Sequence, residues 1–460
     1  MSTTPAARDE RGPAATDGPV NPTRRVVTAS LVGTAIEFYD FYIYATAAVL
    51  VFPALFFPQD DSTTAQLQSL ATFAIAFVAR PFGSALFGHF GDRVGRKATL
   101  VASLLVMGVS TVLIGLLPTY AAIGVWAPVL LCVLRFGQGL GLGGEWGGAA
   151  LLATENAPRG RRALFGSFPQ LGAPIGFFAA NGVFLVLSAA TSDEAFLAWG
   201  WRVPFVLSAV LVLVGLYVRL QLAETPVFAR VVETASQVRV PIAAVLRRSP
   251  GPLVIGIGVM LATYTLFYLM TVFSLTYGTA APADGGLGYT REEFLVLLMV
   301  GVLAFGALVP VAGLVADRFG RRTPLLLTTA AIIAFGLLLP QVLGDGGQGR
   351  VVLFLLVGLG LMGLTFGPMG AVLPELFPPR VRYTGASLSY NLASILGASV
   401  APYIATWLNA RGGLSWVGLY LAGMGALTLL ALLVSRETRG SDFAGTGGAD
   451  APVPAPGARS

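Results

Sequence analysis

Residues 88–97 read GHFGDRVGRK, a charged turn rich in glycine that lies between two long apolar runs. Residues 313–322 read GLVADRFGRR and repeat the Gly, Asp, Arg and Gly and the final basic pair at the same spacing. A single copy would indicate no more than a basic loop between two helices. Because there are two matched copies, one in each half, the sequence predicts a chain built from two related halves. In each copy a small glycine permits two helices to approach closely, while the basic residues stay in water.

The composition is that of a membrane protein. Of the 460 residues, 55% are hydrophobic and 11% are charged, and the mean hydropathy is +0.76. An ordinary soluble domain has about a quarter of its residues charged. The net charge of +6 does not indicate a nucleic-acid partner, because Lys and Arg are dispersed over short loops between apolar runs. We therefore predict a polytopic protein whose surroundings are the lipid bilayer.

The residues that other classes of function would need are missing from the sequence. It contains no Gly-x-x-x-x-Gly-Lys-Ser/Thr loop, which argues against an ATP-driven pump. The only histidine is His89 and the only cysteine is Cys132, so neither a metal cluster nor a nucleophile with its base is indicated. We expect no enzymatic activity, no metal site and no cofactor, with the proton gradient as the driving force.

About twelve apolar runs of the sequence are long enough to cross a bilayer, which takes about 20 residues each. Numbered as spans 1 to 12, they lie near residues 27–52, 67–90, 99–117, 126–152, 163–189, 201–222, 253–277, 294–316, 324–343, 351–373, 386–409 and 416–434. The predicted fold is all-α, with twelve transmembrane helices in two six-helix bundles. The predicted divisions are a disordered tail at 1–24, a bundle at 25–222, a linker at 223–250, a bundle at 251–435 and a disordered tail at 436–460.

The placement of charge predicts how the chain is oriented. An even number of spans puts both termini on one side, and the loops expected on that side carry most of the arginines. The loops on the other side carry most of the exposed acids, including Asp60, Asp61, Asp193 and Glu194. We predict a multi-pass protein of the cytoplasmic (inner) membrane with both termini in the cytoplasm.

Ionisable residues inside a membrane are costly and mark functional sites. They fall in the first half only: Glu37 and Asp40 in span 1, Arg80 in span 2, and Arg135 and Glu145 in span 4. Two carboxylates three residues apart share a helix face and cannot easily both be ionised there, which suits a proton carrier. We predict that Glu37, Asp40, Glu145 and Arg135 couple transport to protons. The alternative is that each carboxylate pairs with an arginine and only holds helices together.

Residues 135–148 read RFGQGLGLGGEWGG and place seven glycines in one predicted helix. Glycines four apart give faces against which a neighbouring helix packs closely. Gln138 and Glu145 are seven residues apart and are predicted to share a face of this helix.

Both loop motifs resemble the signature loop of the major facilitator superfamily, which joins helices two and three and again helices eight and nine. Residues 135–144 resemble the Arg-x-x-Gln-Gly-x-Gly-x-Gly-Gly signature of the superfamily's symporters, in which the Arg is associated with proton coupling. Further blocks resemble the metabolite:proton symporter family, whose members transport shikimate, α-ketoglutarate, and proline or glycine betaine. These blocks are residues 37–42, 79–83, 144–149, 199–205, 374–378 and 381–385. The resemblance implies proton-coupled uptake by alternating access and leaves the solute open.

The alternative to uptake is proton-driven efflux by an antiporter of the same superfamily. Exporters often carry a Gly-Pro-rich signature in span 5, and residues 171–176, LGAPIG, match it in part. Ala173 interrupts the pattern, so symport remains the main prediction.

Polar side chains of both halves could bind a small metabolite with a carboxylate, whether an organic acid or a zwitterion. The predicted substrate ligands are Arg80, Gln138, Gln170, Asn181, Tyr264, Tyr268, Tyr390 and Asn391. For Tyr264 and Tyr268 the alternative is ordinary helix packing. We expect the protein to function as a monomer.

Acidic residues next to basic ones at the predicted cytoplasmic ends of spans indicate a latch. Its predicted residues are Gly88, Asp92, Arg93, Arg96, Glu155, Arg162, Asp317, Arg318, Arg321, Glu375 and Arg382. We expect acid-base sets such as Asp317 with Arg318 and Arg321, or Glu375 with Arg380 and Arg382, to interlock when the transporter opens outward. The alternative is that these charges only set the topology.

Overall fold

The computed structural model of the chain describes residues 23–58, 61–94, 96–143, 145–158, 160–221, 241–343, 346–378 and 381–440. Within these ranges every element of regular secondary structure is a helix. Eight helical segments are long and apolar enough to span a membrane, and two shorter apolar helices accompany them. The first helix and a break inside the last long segment account for the remaining two spans. The fold is therefore the predicted arrangement of twelve helices.

The first six spans begin and end close to their predicted limits. Their helices are Thr23–Leu50 for span 1, Ser62–Val94 for span 2, Arg96–Leu116 for span 3, Trp126–Leu142 and Trp146–Glu155 for span 4, Arg162–Gln170 and Gly172–Ala190 for span 5, and Val203–Gln221 for span 6. Short helices at Phe52–Phe56, Tyr120–Ile123 and Asp193–Ala198 and a 3₁₀ turn at Gly200–Arg202 lie between them.

The second six spans follow the same order. Their helices are Pro250–Tyr268 and Ser274–Thr279 for span 7, Arg291–Phe319 for span 8, Arg322–Leu337 for span 9, Gln348–Phe366 and Met369–Glu375 for span 10, and Arg382–Ser394 for span 11. The helix Ala401–Val434 completes span 11 and forms span 12, with a break at Gly413, whose φ is 69°. π turns at Leu269–Phe273 and Ile395–Ser399 interrupt spans 7 and 11, and Leu339–Leu343 and Pro282–Asp284 are short connecting helices.

The helices pack in the same way in both halves. Span 1 packs along span 5, span 2 along span 4 and span 3 along span 6, and the equivalent pairs are 7 with 11, 8 with 10 and 9 with 12. The bundles meet where span 5 contacts span 8 and where span 2 contacts span 11, which are again equivalent contacts. This pattern is that of two bundles related by a pseudo-two-fold axis. Spans 2, 4, 8 and 10 all end on one face, called here the loop face, so both signature loops lie together.

Glycines of span 4 lie directly against the backbone of span 2. A Cβ built on Gly139 would lie 2.2 Å from the carbonyl oxygen of Ala76, and one built on Gly143 would lie 2.1 Å from that of Arg80. Any side chain at these positions would push the helices apart. The glycines therefore set the close approach of the two spans and the depth of Arg80 relative to span 4.

We expect Gly139→Ala to lower the melting temperature of the detergent-solubilised protein, because overpacking of this kind typically costs about 1–3 kcal/mol. Gly423 of span 12 is a matched control, since nothing lies within 4 Å of its Cβ position. Gly423→Ala should leave the melting temperature unchanged or raise it slightly. Equal melting temperatures for the two variants, measured by scanning fluorimetry, would contradict this account of spans 2 and 4.

The prediction of one continuous helix in span 4 is wrong. The first helix ends at Leu142 and the second begins at Trp146, so Glu145 lies at the break. Gln138 therefore lies in the first helix of span 4, and Glu145 is the N-cap residue of the second. Several glycines in succession weaken a helix enough to permit such a break where the surrounding spans support it.

The structure adds a helix to one polar segment and corrects the prediction for another. The predicted linker at 223–250 contains a helix, Pro241–Arg248, whose Val245 is buried against Leu253 and Phe377. The tail predicted as disordered from residue 436 begins with a segment that is hydrogen-bonded to the loop face. The predictions for residues 1–22, 222–240 and 441–460 lie outside the described residues.

Candidate functional site

At mid-depth the two bundles meet through a layer of buried aromatic rings. The ring of Tyr42 in span 1 lies 5.4 Å from that of Phe267 in span 7 and 5.2 Å from that of Phe177 in span 5, centroid to centroid. Tyr268 of span 7 packs edge-on against Phe77 of span 2 at 5.7 Å. We call these five residues the ring layer. Their contacts close the middle of the interface between the bundles.

Two arginines are buried beside the ring layer. The exposed fraction is 5% for Arg80 and 0% for Arg135. Both guanidinium groups stack on the ring of Phe41, at 4.8 and 4.5 Å from its centroid. Arg135 also stacks on Tyr44 at 3.8 Å and donates a hydrogen bond to Gln138. Stacking of a cation on aromatic faces stabilises the charge in part.

The hydrogen-bonding capacity of these arginines is not used up. Nε of Arg80 and Nε and Nη2 of Arg135 are buried with no hydrogen-bond partner. In the part of the chain that the structure describes, neither arginine lies within salt-bridge distance of a carboxylate. A buried cation with unpaired N–H groups is costly unless a ligand or another group completes its bonds.

Asp40 is fully buried and has only part of its carboxylate satisfied. Its Oδ1 accepts a hydrogen bond of 2.5 Å from Ser208 of span 6, whereas Oδ2 has no partner among the described residues. The Asp40 backbone carbonyl accepts a bond of 3.0 Å from Nε2 of Gln138. Because Oε1 of Gln138 accepts from Arg135, this amide joins the main chain at Asp40, and not its carboxylate, to the buried base. Sequence reasoning missed Ser208, for which a single hydroxyl in an apolar span was the only signal.

The four residues predicted to couple to protons do not form one cluster of contacts. Asp40 and Arg135 are joined through Gln138. Glu145 instead accepts a hydrogen bond of 2.8 Å from Ser103 of span 3. Glu37 is 8% exposed and makes an interaction of its own within the protein.

Three of the predicted substrate ligands are amides that are already hydrogen-bonded within the protein. In Gln138 both the amide oxygen and the amide nitrogen form hydrogen bonds inside the first bundle. Gln170 accepts a hydrogen bond from Trp146 at 3.0 Å and donates one to the Phe366 carbonyl at 3.2 Å. Asn181 accepts from Thr46 at 2.9 Å and donates to the carbonyl of its own span. These bonds hold helices together, and only Gln138 has both of its N–H donors in use, on the Asp40 carbonyl and on Thr111.

A second layer of contacts lies between the ring layer and the loop face. Trp146 of span 4 and Tyr390 of span 11 stack face to face at 4.0 Å, and Tyr264 packs edge-on against Tyr390 at 5.3 Å. Asn391 donates to the carbonyl of Gly143 at 3.1 Å, at the break in span 4. The contacts join the bundles below Arg80, whose guanidinium interacts electrostatically with the hydroxyls of Tyr264, Tyr268 and Tyr390. Trp146 belongs to the block 144–149 that resembles the family, but its residue type alone predicted no role for it.

On the loop face, Asp317 connects the two halves. Its two carboxylate oxygens accept hydrogen bonds from the backbone N–H groups of Ala163 and Leu164, at 3.0 and 2.9 Å. These N–H groups lie at the start of span 5, where a helix leaves its first donors unpaired and favours negative charge. Arg321 donates to Asp317 at 3.0 Å and to both oxygens of Glu375 at 3.1 and 3.0 Å. Burial alone would lower the pKa of Arg321, but Glu375 and Asp317 raise it above its usual range.

Other residues of the predicted latch are placed differently from expectation. Arg318 is exposed and stacks on Phe319 at 5.3 Å, so it does not pair with Asp317. The Glu375 carboxylate is bound by Arg321, and Nε of Arg382 donates to the Phe377 carbonyl at 3.3 Å. Glu155 and Arg162 each make contacts within the protein. For Gly88, Asp92, Arg93 and Arg96, the structure describes no side-chain contacts.

A segment that sequence reasoning assigned to a disordered tail completes this network. Glu437 accepts hydrogen bonds from the N–H groups of Arg321 and Arg322, at 2.9 and 3.0 Å, where span 9 begins. Thr438 donates to Glu375 at 2.7 Å. The available signal was a repeat, because Glu437-Thr438 after span 12 matches Glu224-Thr225 after span 6.

The charge of Glu437 makes the stability of this network depend on pH. Burial alone would raise the pKa of Glu437, but hydrogen bonds from backbone N–H groups, those of Arg321 and Arg322 foremost, hold it below its usual range. The pKa of a glutamate in the unfolded chain is about 4.3. Because the pKa of Glu437 is lower than this in the folded protein, its ionised form stabilises the fold at any pH above about 4.3. This stabilisation is lost as the pH falls through the folded-state pKa.

We expect Glu437→Gln to lower stability at neutral pH by about 1 kcal/mol, as for other lost helix caps. The variant should also lose less stability than the parent protein when the pH is lowered to about 4. Scanning fluorimetry over this range measures both effects. Asp284→Asn, which changes an exposed carboxylate on the opposite face, is the control. Parallel pH profiles for the parent and Glu437→Gln would rule out the predicted role.

Comparison with known proteins gives the family. A model described as "Sugar (and other) transporter" matches residues 26–248, and one described as "Major Facilitator Superfamily" matches residues 283–456. The inner membrane metabolite transport protein YhjE of Escherichia coli is 67% identical over 422 residues, which cover 92% of this chain and 96% of that protein. The chain belongs to the major facilitator superfamily. The predicted family and fold are thereby confirmed.

Other members of the superfamily are similar over most of the chain. The shikimate transporter of Escherichia coli is 37% identical, covering 90% of this chain and 95% of that protein. A proline/betaine transporter of Salmonella typhimurium is 31% identical, covering 90% and 84%. The solved xylose transporter XylE of Escherichia coli, in a partially occluded inward open conformation, has the same fold with a TM-score of 0.68, 19% identity and coverage of 91% and 99%. Like its relatives, this superfamily member is a multi-pass membrane transporter of small molecules and not an enzyme.

Proposed function

We propose that this transporter is a proton-coupled symporter that takes up a small polar metabolite with a carboxylate across the inner membrane. In this proposal the loop face and both termini are cytoplasmic, and one chain is sufficient. The observation that carries it is a buried acid and a buried base that do not touch: the Asp40 carboxylate has an oxygen without a partner, and the backbone carbonyl of Asp40 is linked to Arg135 through Gln138. The proton gradient is the only further component that it needs.

The coupling that we propose is electrostatic. When Asp40 is ionised, its negative charge offsets part of the positive charge of Arg80 and Arg135. When Asp40 takes up a proton, the site becomes more positive and binds an anion more tightly. Two charges about 10 Å apart interact by about 1.7 kcal/mol at an effective dielectric of about 20, which corresponds to a change in affinity of roughly 15- to 20-fold. Release of the proton on the other side then favours release of the substrate.

Alternating access in this proposal uses contacts at both ends of the interface. On the loop face Asp317 binds the start of span 5, while on the opposite face Arg291 of span 8 forms a salt bridge of 3.2 Å with Asp193. We propose that the loop-face network holds when the transporter opens outward and separates when it opens inward. Names of similar proteins agree with this function, since they include a proton:xylose symporter, a shikimate transporter and proline/betaine transporters.

The test is uptake into vesicles reconstituted with the purified protein. Radiolabelled shikimate, 2-oxoglutarate, proline and glycine betaine are offered with an inside-alkaline pH gradient, and again after an ionophore has collapsed it. We expect accumulation of at least one compound only while the gradient is present. Accumulation that ignores the gradient would overturn symport. Gradient-driven loss of preloaded compound in exchange for protons would support efflux instead.

A further inference from the structure

The proposed substrate site contains two buried arginines, and their positive charge restricts the charge of the substrate that can bind. Arg80 is 5% exposed at the interface between the bundles, and its Nε has no hydrogen-bond partner. Arg135 is more enclosed, at 0% exposure, among the rings of Phe41, Tyr44 and Phe73. Arg80 is therefore the guanidinium that a ligand between the bundles can reach, and Arg135 lies behind it.

The residues of the second bundle near Arg80 are neutral. Tyr268 packs against Phe77, the ring on which the Arg80 guanidinium stacks, and Tyr264 and Tyr390 pack against each other on the same side of the interface. Within the described parts of spans 7 to 12, the ionisable side chains lie at or near the ends of the helices and not at the depth of these tyrosines. The second bundle thus supplies rings and hydroxyls but no negative charge.

The acids of the first bundle have other contacts. Asp40 is held by Ser208 of span 6, and Glu145 is held by Ser103 of span 3. Glu37 lies within salt-bridge distance of neither Arg80 nor Arg135. A carboxylate or an open aromatic cage stabilises the charge of an ammonium group more than neutral hydroxyls do. Here the ring faces nearest Arg80 are taken by arginine or by other rings.

We propose that the substrate is an organic anion without a cationic group, that Arg80 binds its carboxylate, and that the site excludes zwitterions. This inference rests on the proposed function in taking the space around Arg80 as the transport site. A carboxylate supplies the acceptors that the Arg80 guanidinium lacks, in a bidentate geometry that arginine favours. An ammonium group brought to the same place would add a third positive charge beside two arginines that form no salt bridge within the described residues, which is the kind of mismatch that rejects a ligand.

Binding to the purified full chain in detergent, measured as a ligand-induced shift in melting temperature, tests this directly. The ligands are matched pairs that differ only in the cationic nitrogen: cyclohexanecarboxylate with pipecolate, cyclopentanecarboxylate with proline, and 3,3-dimethylbutanoate with glycine betaine. Shikimate is included as a hydroxylated anion. We expect each anion to bind at least about tenfold more tightly than its zwitterionic partner. Equal or tighter binding of the zwitterions, or no shift with any anion, would overturn the proposal.

Three variants separate the role of Arg80 from loss of folding. Arg80→Gln should weaken anion binding at least about tenfold and Arg80→Lys by less, since lysine keeps the charge but not the bidentate geometry. Arg411→Gln is the control, because Arg411 stacks on Trp407 away from the site. The melting temperature without ligand reports whether each variant folds. Unchanged anion binding in a folded Arg80→Gln protein would refute the assignment.

Glu37→Gln tests the remaining buried acid of the first bundle. If Glu37 received an ammonium group, this variant would bind zwitterions less tightly relative to anions, and that result would count against the proposal. We expect an unchanged ratio. The binding assay has no proton gradient, so failure of this proposal is distinguishable from failure of symport. Anion preference without gradient-driven uptake would overturn proton coupling alone. Gradient-driven uptake without anion preference would overturn charge selection alone.

Discussion

Asp40→Asn is expected to abolish accumulation of substrate against its gradient while preserving exchange of substrate across the membrane. Asparagine has nearly the shape of aspartate and can keep the contact with Ser208, but it cannot take up and release a proton. Asp40 is fully buried and its Oδ2 has no partner, so its two charge states differ strongly in free energy. With asparagine at position 40, no change of charge can act on the arginines, so substrate binding is no longer coupled to protons. The change between outward-open and inward-open states is expected to continue.

Reconstituted vesicles measure the two activities separately. Uptake driven by a pH gradient should fall to the level of protein-free vesicles, whereas counterflow of labelled against unlabelled substrate should continue. The substrate is the compound that the uptake panel identifies. Asp284→Asn is the control, because it neutralises an exposed aspartate on the face opposite the loops. Normal gradient-driven accumulation by Asp40→Asn would show that another group carries the proton.

Arg321→Gln is expected to have the largest effect on the closure of the loop face. Arg321 is the one cation in the described structure within salt-bridge distance of either Asp317 or Glu375, and the side chains of the three residues are 6%, 8% and 0% exposed. Removing one partner of a buried ion pair leaves uncompensated charge and typically costs about 3–5 kcal/mol. Because Asp317 also holds the start of span 5, we expect the population to shift toward the state that is open on the loop face.

Labelling of single cysteines on the two faces, in a background without Cys132, measures this shift. Labelling on the loop face should rise relative to the opposite face in Arg321→Gln, and transport should slow. Arg318→Gln is the matched control, because Arg318 belongs to the same loop but is exposed and stacks on Phe319. Combining Arg321→Gln with Glu375→Gln should restore part of the stability, since one orphaned carboxylate is then neutral. Identical labelling ratios in the two single variants would leave only a topological role for Arg321.

Much of the site could be anticipated from residue types, but the contacts could not. A rule that buried ionisable residues are functional was enough to select Asp40, Arg80 and Arg135. It could not indicate that Ser208 donates a hydrogen bond to Asp40, or that both amide atoms of Gln138 are hydrogen-bonded to Arg135 and to the Asp40 backbone. Helical spacing predicts which residues of one helix share a face, but the partner on another helix depends on how the spans are packed.

The contacts on the loop face could not be predicted from the sequence either. The sequence suggested that Asp317 pairs with both Arg318 and Arg321, whereas in the structure it binds Arg321 alone of the two, together with two backbone N–H groups of span 5. Local sequence cannot select between two nearby arginines, because the choice depends on Glu375, which is far along the chain but adjacent in space. The docking of Glu437 was missed for a related reason, since a polar segment after the last span looks disordered until its partner is in place.

By itself the sequence determined the class of protein, the number of spans and the duplication, because long apolar runs can only be accommodated in a bilayer and matched loops imply matched halves. It also determined which half carries the buried charge. Only the tertiary structure decided that the glycines of span 4 interrupt its helix, that Asp40 and Arg135 meet through an amide, and that Arg80 lies at the interface without an acid. These outcomes depend on which surfaces of separate helices are brought together, and that packing is a property of all twelve spans at once.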